Sequence, residues 1–120
     1  CMTAPDTPKS HHMMNADRFA KMKTGSIFIN VSRGGLVDTK ALLNAIEAGK
    51  FFGVGLDVIE DEPLRPDHPI WDRENVLITP HIGGGSFRRV ERLIKLFTEN
   101  LRRYRSGEPL QNLVDLNAGF

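Results

Sequence analysis

Apolar positions along the chain fall into two kinds of run. Residues 26–31, Ser-Ile-Phe-Ile-Asn-Val, form a compact β-branched and aromatic block, the mark of a strand buried on both faces. Residues 52–58 form a second block and residues 75–79 a third, shorter one. Between the first two, Ala41, Leu42, Ala45 and Ile46 recur at helical spacing. A helix is therefore predicted over residues 39–48, with Asp38 as its N-cap and Gly49 as its stop. Strand, helix, strand over about 30 residues is a βαβ unit, which makes a parallel pair with a right-handed crossover. Upstream, Asn15 caps a short helix over residues 16–22, in which Phe19 and Met22 share a face, and Gly25 ends it. Residues 1–14 read as a strand tip and then a loop, since Pro5 and Pro8 fix φ and remove donors.

The downstream half is less regular. Residues 60–74 are polar and contain Pro63, Pro66 and Pro69, so a loop joins the second strand to the third, and Ile70 and Trp71 are expected to pin it to the body. With only a loop there, the direction of the third strand stays open. Phe87, Val90, Ile94, Phe97, Leu101 and Tyr104 then recur every three or four residues, predicting a long helix over residues 86–106 with one apolar stripe. Gly107 and Pro109 close it. The tail beyond has apolar residues without a period.

Composition narrows the function classes. The chain has 120 residues, 40% hydrophobic and 26% charged, with a formal net charge of +1. That balance offers no concentrated basic face for nucleic acid or an anionic membrane. The apolar runs are far shorter than the roughly 20 residues of a membrane span. A single cysteine, Cys1, excludes an internal disulfide and fits a reducing compartment. The opening residues, Cys1-Met2-Thr3-Ala4-Pro5, look like the middle of something, and a fragment lacking its N-terminal part is expected.

The chemistry-bearing residues gather at strand ends. Arg33 follows the first block, Glu62 the second and His81 the third. In open α/β sheets, ligands bind outside the C-terminal ends of the strands. An arginine offers a fork for a carboxylate. A histidine moves a proton near neutral pH, and a carboxylate on its other ring nitrogen orients it. Together these three suit the reduction of a 2-keto acid or the oxidation of a 2-hydroxy acid. Other motifs carry less. Gly53-Val54-Gly55 is not a dinucleotide fingerprint, because Val58 stands at the third glycine position and no helix follows. The acidic group Asp57, Glu60, Asp61 and Glu62 is not read as a metal site, since strand alternation sends side chains apart. His11 and His12 are read as solvated loop residues, because neighbouring side chains point apart and no third ligand sits at helical spacing. Gly83-Gly84-Gly85 before the last helix is a possible anion site, with Arg88 and Arg89 in its predicted first turn.

Three phrases carry a family resemblance: Asn-Val-Ser-Arg-Gly-Gly-Leu-Val-Asp over residues 30–38, Leu-Asp-Val-Ile-Glu-Asp-Glu-Pro-Leu over 56–64, and Thr-Pro-His-Ile-Gly-Gly over 79–84. In this order they resemble the C-terminal half of the D-isomer-specific 2-hydroxyacid dehydrogenase family, which includes phosphoglycerate dehydrogenase and glyoxylate/hydroxypyruvate reductases. The resemblance implies an α/β fold, the second half of a Rossmann-type doubly wound parallel sheet. Residues 1–107 would belong to the NAD(P)-binding domain, and residues 108–120 would be a tail returning toward a substrate domain. It implies catalytic roles: Arg33 on the substrate carboxylate, His81 as acid or base, and Glu62 paired with His81. Asp57 would hold the nicotinamide carboxamide, with Val31, Ser32, Arg33, His81, Gly83 and Gly84 near the nicotinamide end. Ala4, Pro5 and Thr7 would lie near the adenosine end. It further implies NAD or NADP as cofactor, a small 2-hydroxy or 2-keto acid substrate, a homodimer and a cytoplasmic location, with no resident metal. The glycine-rich phosphate turn of the family is not among these residues, so the 120 residues alone are expected to be inactive. A non-catalytic NAD(H)-sensing, corepressor-like member of the same family is the alternative.

Overall fold

The structure, a computed structural model, describes residues 1–119. The chain divides into two compact units, the first being Cys1–Gly83 and the second beginning at Gly84.

In the first unit, Asn15 Oδ1 accepts the Arg18 N–H and starts α1, Ala16–Lys21. Strand β1, Ser26–Asn30, follows, then a 3-10 turn at Gly34–Leu36 and helix α2, Thr39–Glu47. Asp38 Oδ1 caps α2 by accepting the Ala41 N–H at 2.9 Å. Strand β2 is Phe51–Leu56 and β3 is Val76–Ile78. The sheet order is β1-β2-β3, with both pairings parallel. This fixes the direction of β3. Met2 bridges in parallel to Asn30 and extends the sheet beyond β1. The loop before β3 contains a 3-10 turn, Pro69–Asp72. Ile70 there is buried as expected, but half of Trp71 is exposed. Its indole N–H closes the loop on itself by donating to the Arg65 carbonyl at 2.9 Å.

The core lies on one side of this sheet. Phe19 from α1 and Leu42 and Ile46 from α2 pack on Phe28, Phe51, Val54 and Leu56 from the strands. Phe19 meets Phe28 edge-on at 5.3 Å and Phe51 at 5.8 Å, the geometry that aromatic quadrupoles prefer. The alternate residues Ile27, Ile29, Phe52 and Leu77 are exposed. The expectation of strands buried on both faces therefore holds for one face within this unit, because α1 and α2 both contribute to the same core.

In the second unit, α3 runs from Arg89 to Ser106. It starts later than the predicted position 86, since Ser86 spends its carbonyl and hydroxyl on the Arg89 and Arg88 N–H groups. Gly107 ends it in a left-handed conformation, and the Glu108 N–H reaches back to the Arg103 carbonyl. Asn100 pins the tail through two hydrogen bonds to the Gln111 backbone, at 2.8 and 3.0 Å. The predicted apolar stripe is present, but none of its residues is buried. No helix among the described residues is long and apolar enough to cross a membrane.

Candidate active site

The parallel register places the C-terminal ends of β1, β2 and β3 at one edge, with Asn30 opposite Leu56 and Leu56 opposite Ile78. Each strand end is then shaped by a local device. At β1, Asn30 is buried within the sheet. Its amide donates to the Arg33 carbonyl at 3.0 Å and its Oδ1 accepts from the Ser32 N–H and hydroxyl. This folds residues 31–33 over the strand end and projects Arg33. The Arg33 guanidinium is exposed and spends one hydrogen bond on the neighbouring Ser32 carbonyl, at 2.7 Å. Gly34 follows, where an added Cβ would collide with the Ile59 carbonyl. Only glycine lets the β1 turn lie against the segment that leaves β2.

At β2, Asp57 is buried with both carboxylate oxygens engaged. Oδ1 accepts the Thr79 hydroxyl at 2.5 Å and the Ile82 N–H at 3.0 Å, and Oδ2 accepts the Gly83 N–H at 2.7 Å. A Cβ at Gly83 would press on that oxygen. The Thr79 hydroxyl above all, then the Gly83 and Ile82 amides and nearby His81, hold the Asp57 carboxyl below the usual carboxylate range against the opposing effect of burial. Asp57 thus ties down residues 79–83, the segment that carries His81. The Gly83 amide is committed here, so it is not available to the anion site read from the Gly83–Gly85 run.

His81 adopts a positive φ of 55°, and its Nδ1 lies 2.7 Å from Glu62 Oε2. The other Glu62 oxygen accepts the Ile59 N–H at 2.8 Å, which fixes the carboxylate from behind. Burial is the largest single influence on Glu62 and pushes its carboxyl up. The hydrogen bonds from His81 and Ile59 together outweigh it and hold the group below its ordinary value. Among the described residues, His81 Nε2 has no hydrogen-bond partner. The imidazole is therefore oriented through one nitrogen and open at the other. A cavity of about 520 Å³ lies beside the pair, lined by Asp57, Ile59, Leu64, Trp71 and Thr79 among others.

The structure therefore brings together Glu62 and His81, with Asp57 beneath the histidine turn, and puts Arg33 on the same edge without a hydrogen bond to either. Ala4 packs against the core, and Pro5 and Thr7 lie in the loop after the Met2 bridge. The Pro5 carbonyl and the Thr7 backbone and hydroxyl all close on Ser10. Val31 and Ser32 sit at the β1 end, and the Val31 N–H donates to the Met2 carbonyl. Sequence reasoning gave no role to Asn30 or Thr79. The available signal for Asn30 was a lone amide inside an apolar strand run, which is costly unless fully bonded.

The family model for the D-isomer specific 2-hydroxyacid dehydrogenase NAD binding domain matches residues 1–83. The chain belongs to this family. A glyoxylate/hydroxypyruvate reductase B from Cronobacter sakazakii is 39% identical over 98% of the chain, which spans 36% of that relative. A glyoxylate reductase from Korarchaeum cryptofilum is 40% identical over 92% of the chain and 33% of its own length. A D-isomer specific 2-hydroxyacid dehydrogenase from Xanthobacter autotrophicus, solved with NADPH and MES, superposes with a TM-score of 0.89 at 41% identity, over 98% of this chain and 48% of that one. An NADPH-dependent glyoxylate/hydroxypyruvate reductase from Sinorhizobium meliloti, solved with NADP and sulfate, gives 0.88 at 36% identity, over 98% and 38%. The chain thus spans about a third of the length of the curated relatives it matches. In this 2-hydroxyacid dehydrogenase segment, the matched residues coincide with the first compact unit and end at Gly83. Every candidate site residue except Gly84, the first residue of the second unit, lies within it.

Proposed function

We propose that this segment supplies the acid–base pair and the carboxylate fork of an NAD(P)-dependent 2-hydroxyacid dehydrogenase. The supporting observation is the Glu62–His81 pair, closed at Nδ1 and open at Nε2, at the sheet edge that also bears Arg33. In the reducing direction, His81 delivers a proton from Nε2 to the carbonyl oxygen at C2 of a small 2-keto acid. Glu62 keeps the ring in place and stabilises its charged form. Arg33 pairs with the substrate carboxylate through its free N–H groups and draws the carbonyl toward the histidine. Oxidation runs the same steps in reverse, with His81 taking the hydroxyl proton.

The residues present fit the nicotinamide end of a dinucleotide. Asp57 Oδ2 accepts one hydrogen bond and keeps acceptor capacity for a carboxamide N–H. Val31 and Ser32 lie at the same edge, and residues 4–7 offer a loop for the far end. NAD or NADP held there supplies the hydride for C2. Glyoxylate and hydroxypyruvate are the substrates this reading favours, because they are the ones in the relatives' names. We read the intact protein as a homodimer working in the cytoplasm, in line with the family resemblance, the single cysteine and the balanced charge.

The experiment is glyoxylate-dependent NAD(P)H oxidation by the polypeptide that carries these residues, with and without Arg33→Ala. A charge-assisted hydrogen bond contributes about 1.5–3 kcal/mol. Losing the fork is expected to lower kcat/KM by about ten- to a hundredfold, chiefly through KM. Equal kinetics in the two proteins would remove Arg33 from the site. Cofactor binding with no turnover of any 2-keto acid would favour the non-catalytic reading.

A further inference from the structure

Neighbouring histidines in an extended chain point apart, and on that ground His11 and His12 read as solvated. The fold reverses this geometry. His12 adopts a left-handed φ of 49°, and the two imidazoles stack with centroids 3.9 Å apart and planes 21° from parallel. The third group arrives from 48 residues away, with Glu60 Oε1 at 2.5 Å from His12 Nε2. One nitrogen from each histidine and a Glu60 oxygen all lie within 4.8 Å of one another.

We propose that His11, His12 and Glu60 form a binding site for a borderline divalent transition metal such as Zn²⁺. Two imidazoles, one carboxylate and a water make up a common four-coordinate donor set for zinc. Tetrahedral ligands at zinc distances stand roughly 3.3 Å apart. The widest pair here must close by at most about 1.5 Å, and the His12–Glu60 pair must open to admit the ion. Rotation of the exposed His11 ring supplies most of that movement. Among the described residues, the His11 ring nitrogens have no hydrogen-bond partner, so binding breaks no existing bond there.

The remaining parts are already anchored. Glu60 Oε2 accepts the Thr39 N–H at 2.8 Å at the start of α2, which orients the carboxylate and leaves Oε1 for the ion. The His12 N–H donates to the Gly35 carbonyl at 2.8 Å, and the Met14 N–H to the Leu36 carbonyl at 2.9 Å, so the histidine loop is stitched to the chain before α2. Asp6 and Asp38 add negative charge around His12. A metal here would clamp the 7–14 loop to the segment that carries Glu62 two residues later.

The test is calorimetric titration of ZnCl2 into the untagged 120-residue chain, with thermal unfolding followed in parallel. A polyhistidine tag would compete and must be absent. The exposed Cys1 thiol is the other soft ligand, so Cys1→Ser is made as well. The expected result is a single site per chain, retained in Cys1→Ser and weakened at least about tenfold in both His11→Ala and Glu60→Gln. Because the His11 ring is exposed and makes no hydrogen bond among the described residues, His11→Ala is expected to unfold close to the wild-type temperature without metal. An absence of binding at millimolar Zn²⁺, or equal binding by wild type and His11→Ala, overturns the proposal. So does loss of binding in Cys1→Ser.

Discussion

Asp57 holds three donors that follow β3, and so decides where His81 stands. Its carboxyl is held below its ordinary value, which links it to stability in acid. A group whose pKa is depressed by folding contributes stability above its unfolded value of 3.8 and loses it as pH falls through the lower folded value. Asp57→Asn is therefore expected to flatten the acid limb of a stability–pH curve, measured by urea unfolding from pH 6 downward, with no change in slope near neutrality, where the carboxyl is ionised in both states. An unchanged acid limb would mean that Asp57 is not charged and bonded in this way. Arg33, Glu62 and His81 were legible one by one, because a charged residue just past an apolar run is visible in the sequence. The clamp on residues 79–83 was not, because Asp57 and its partners are 22 to 26 positions apart. Nothing local distinguishes a carboxylate that takes three donors from one that faces solvent. The same applies to Glu60, whose partner His12 lies 48 residues away.

At the scale of elements, α1, β1, α2 and β2 were readable because propensity, caps and turn residues agreed. Asn15 and Asp38 cap the helices as their side-chain chemistry requires. Observed ends differ from the predicted ones by one or two residues, the usual fraying of cap and strand-edge assignments. Which strand residues face the core needed the structure. A run of Ile, Phe and Val reads alike on both sides, yet Phe28 is 3% exposed while Ile27 is 57% exposed. The helix α1 is short and depends on Phe19, which is wedged between Phe28 and Phe51. Phe19→Ala is expected to destabilise the chain by about 3–5 kcal/mol in chemical denaturation, the cost of emptying a core aromatic site. A loss below about 1 kcal/mol would show that α1 is not integral to the core.

At the scale of the whole chain, two apolar surfaces stand out. The outer sheet face exposes Ile27, Ile29, Phe52 and Leu77, and α3 exposes Val90, Ile94, Phe97 and Leu101 within its own unit. Their sequence pattern announced burial, and sequence periodicity cannot say which body provides it. No strand-to-helix phosphate turn of the GxGxxG kind occurs in the 120 residues, although the Glu62–His81 hydrogen bond is formed. The isolated 120-residue chain is therefore expected to show no NADH or NADPH oxidation with glyoxylate or hydroxypyruvate above the no-enzyme rate. Measurable turnover would mean that these residues bind the dinucleotide without that turn.

The most direct test of the acid–base account is kcat for glyoxylate reduction by the polypeptide that carries these residues, compared with its His81→Gln variant. Glutamine preserves the approximate size of the side chain and cannot transfer the proton. A positioned general acid contributes roughly 10²–10⁴-fold. The account predicts a fall of that order in kcat, with the KM for glyoxylate changing much less because Arg33 is intact. A His81→Gln protein that keeps its kcat within a factor of about three would contradict it.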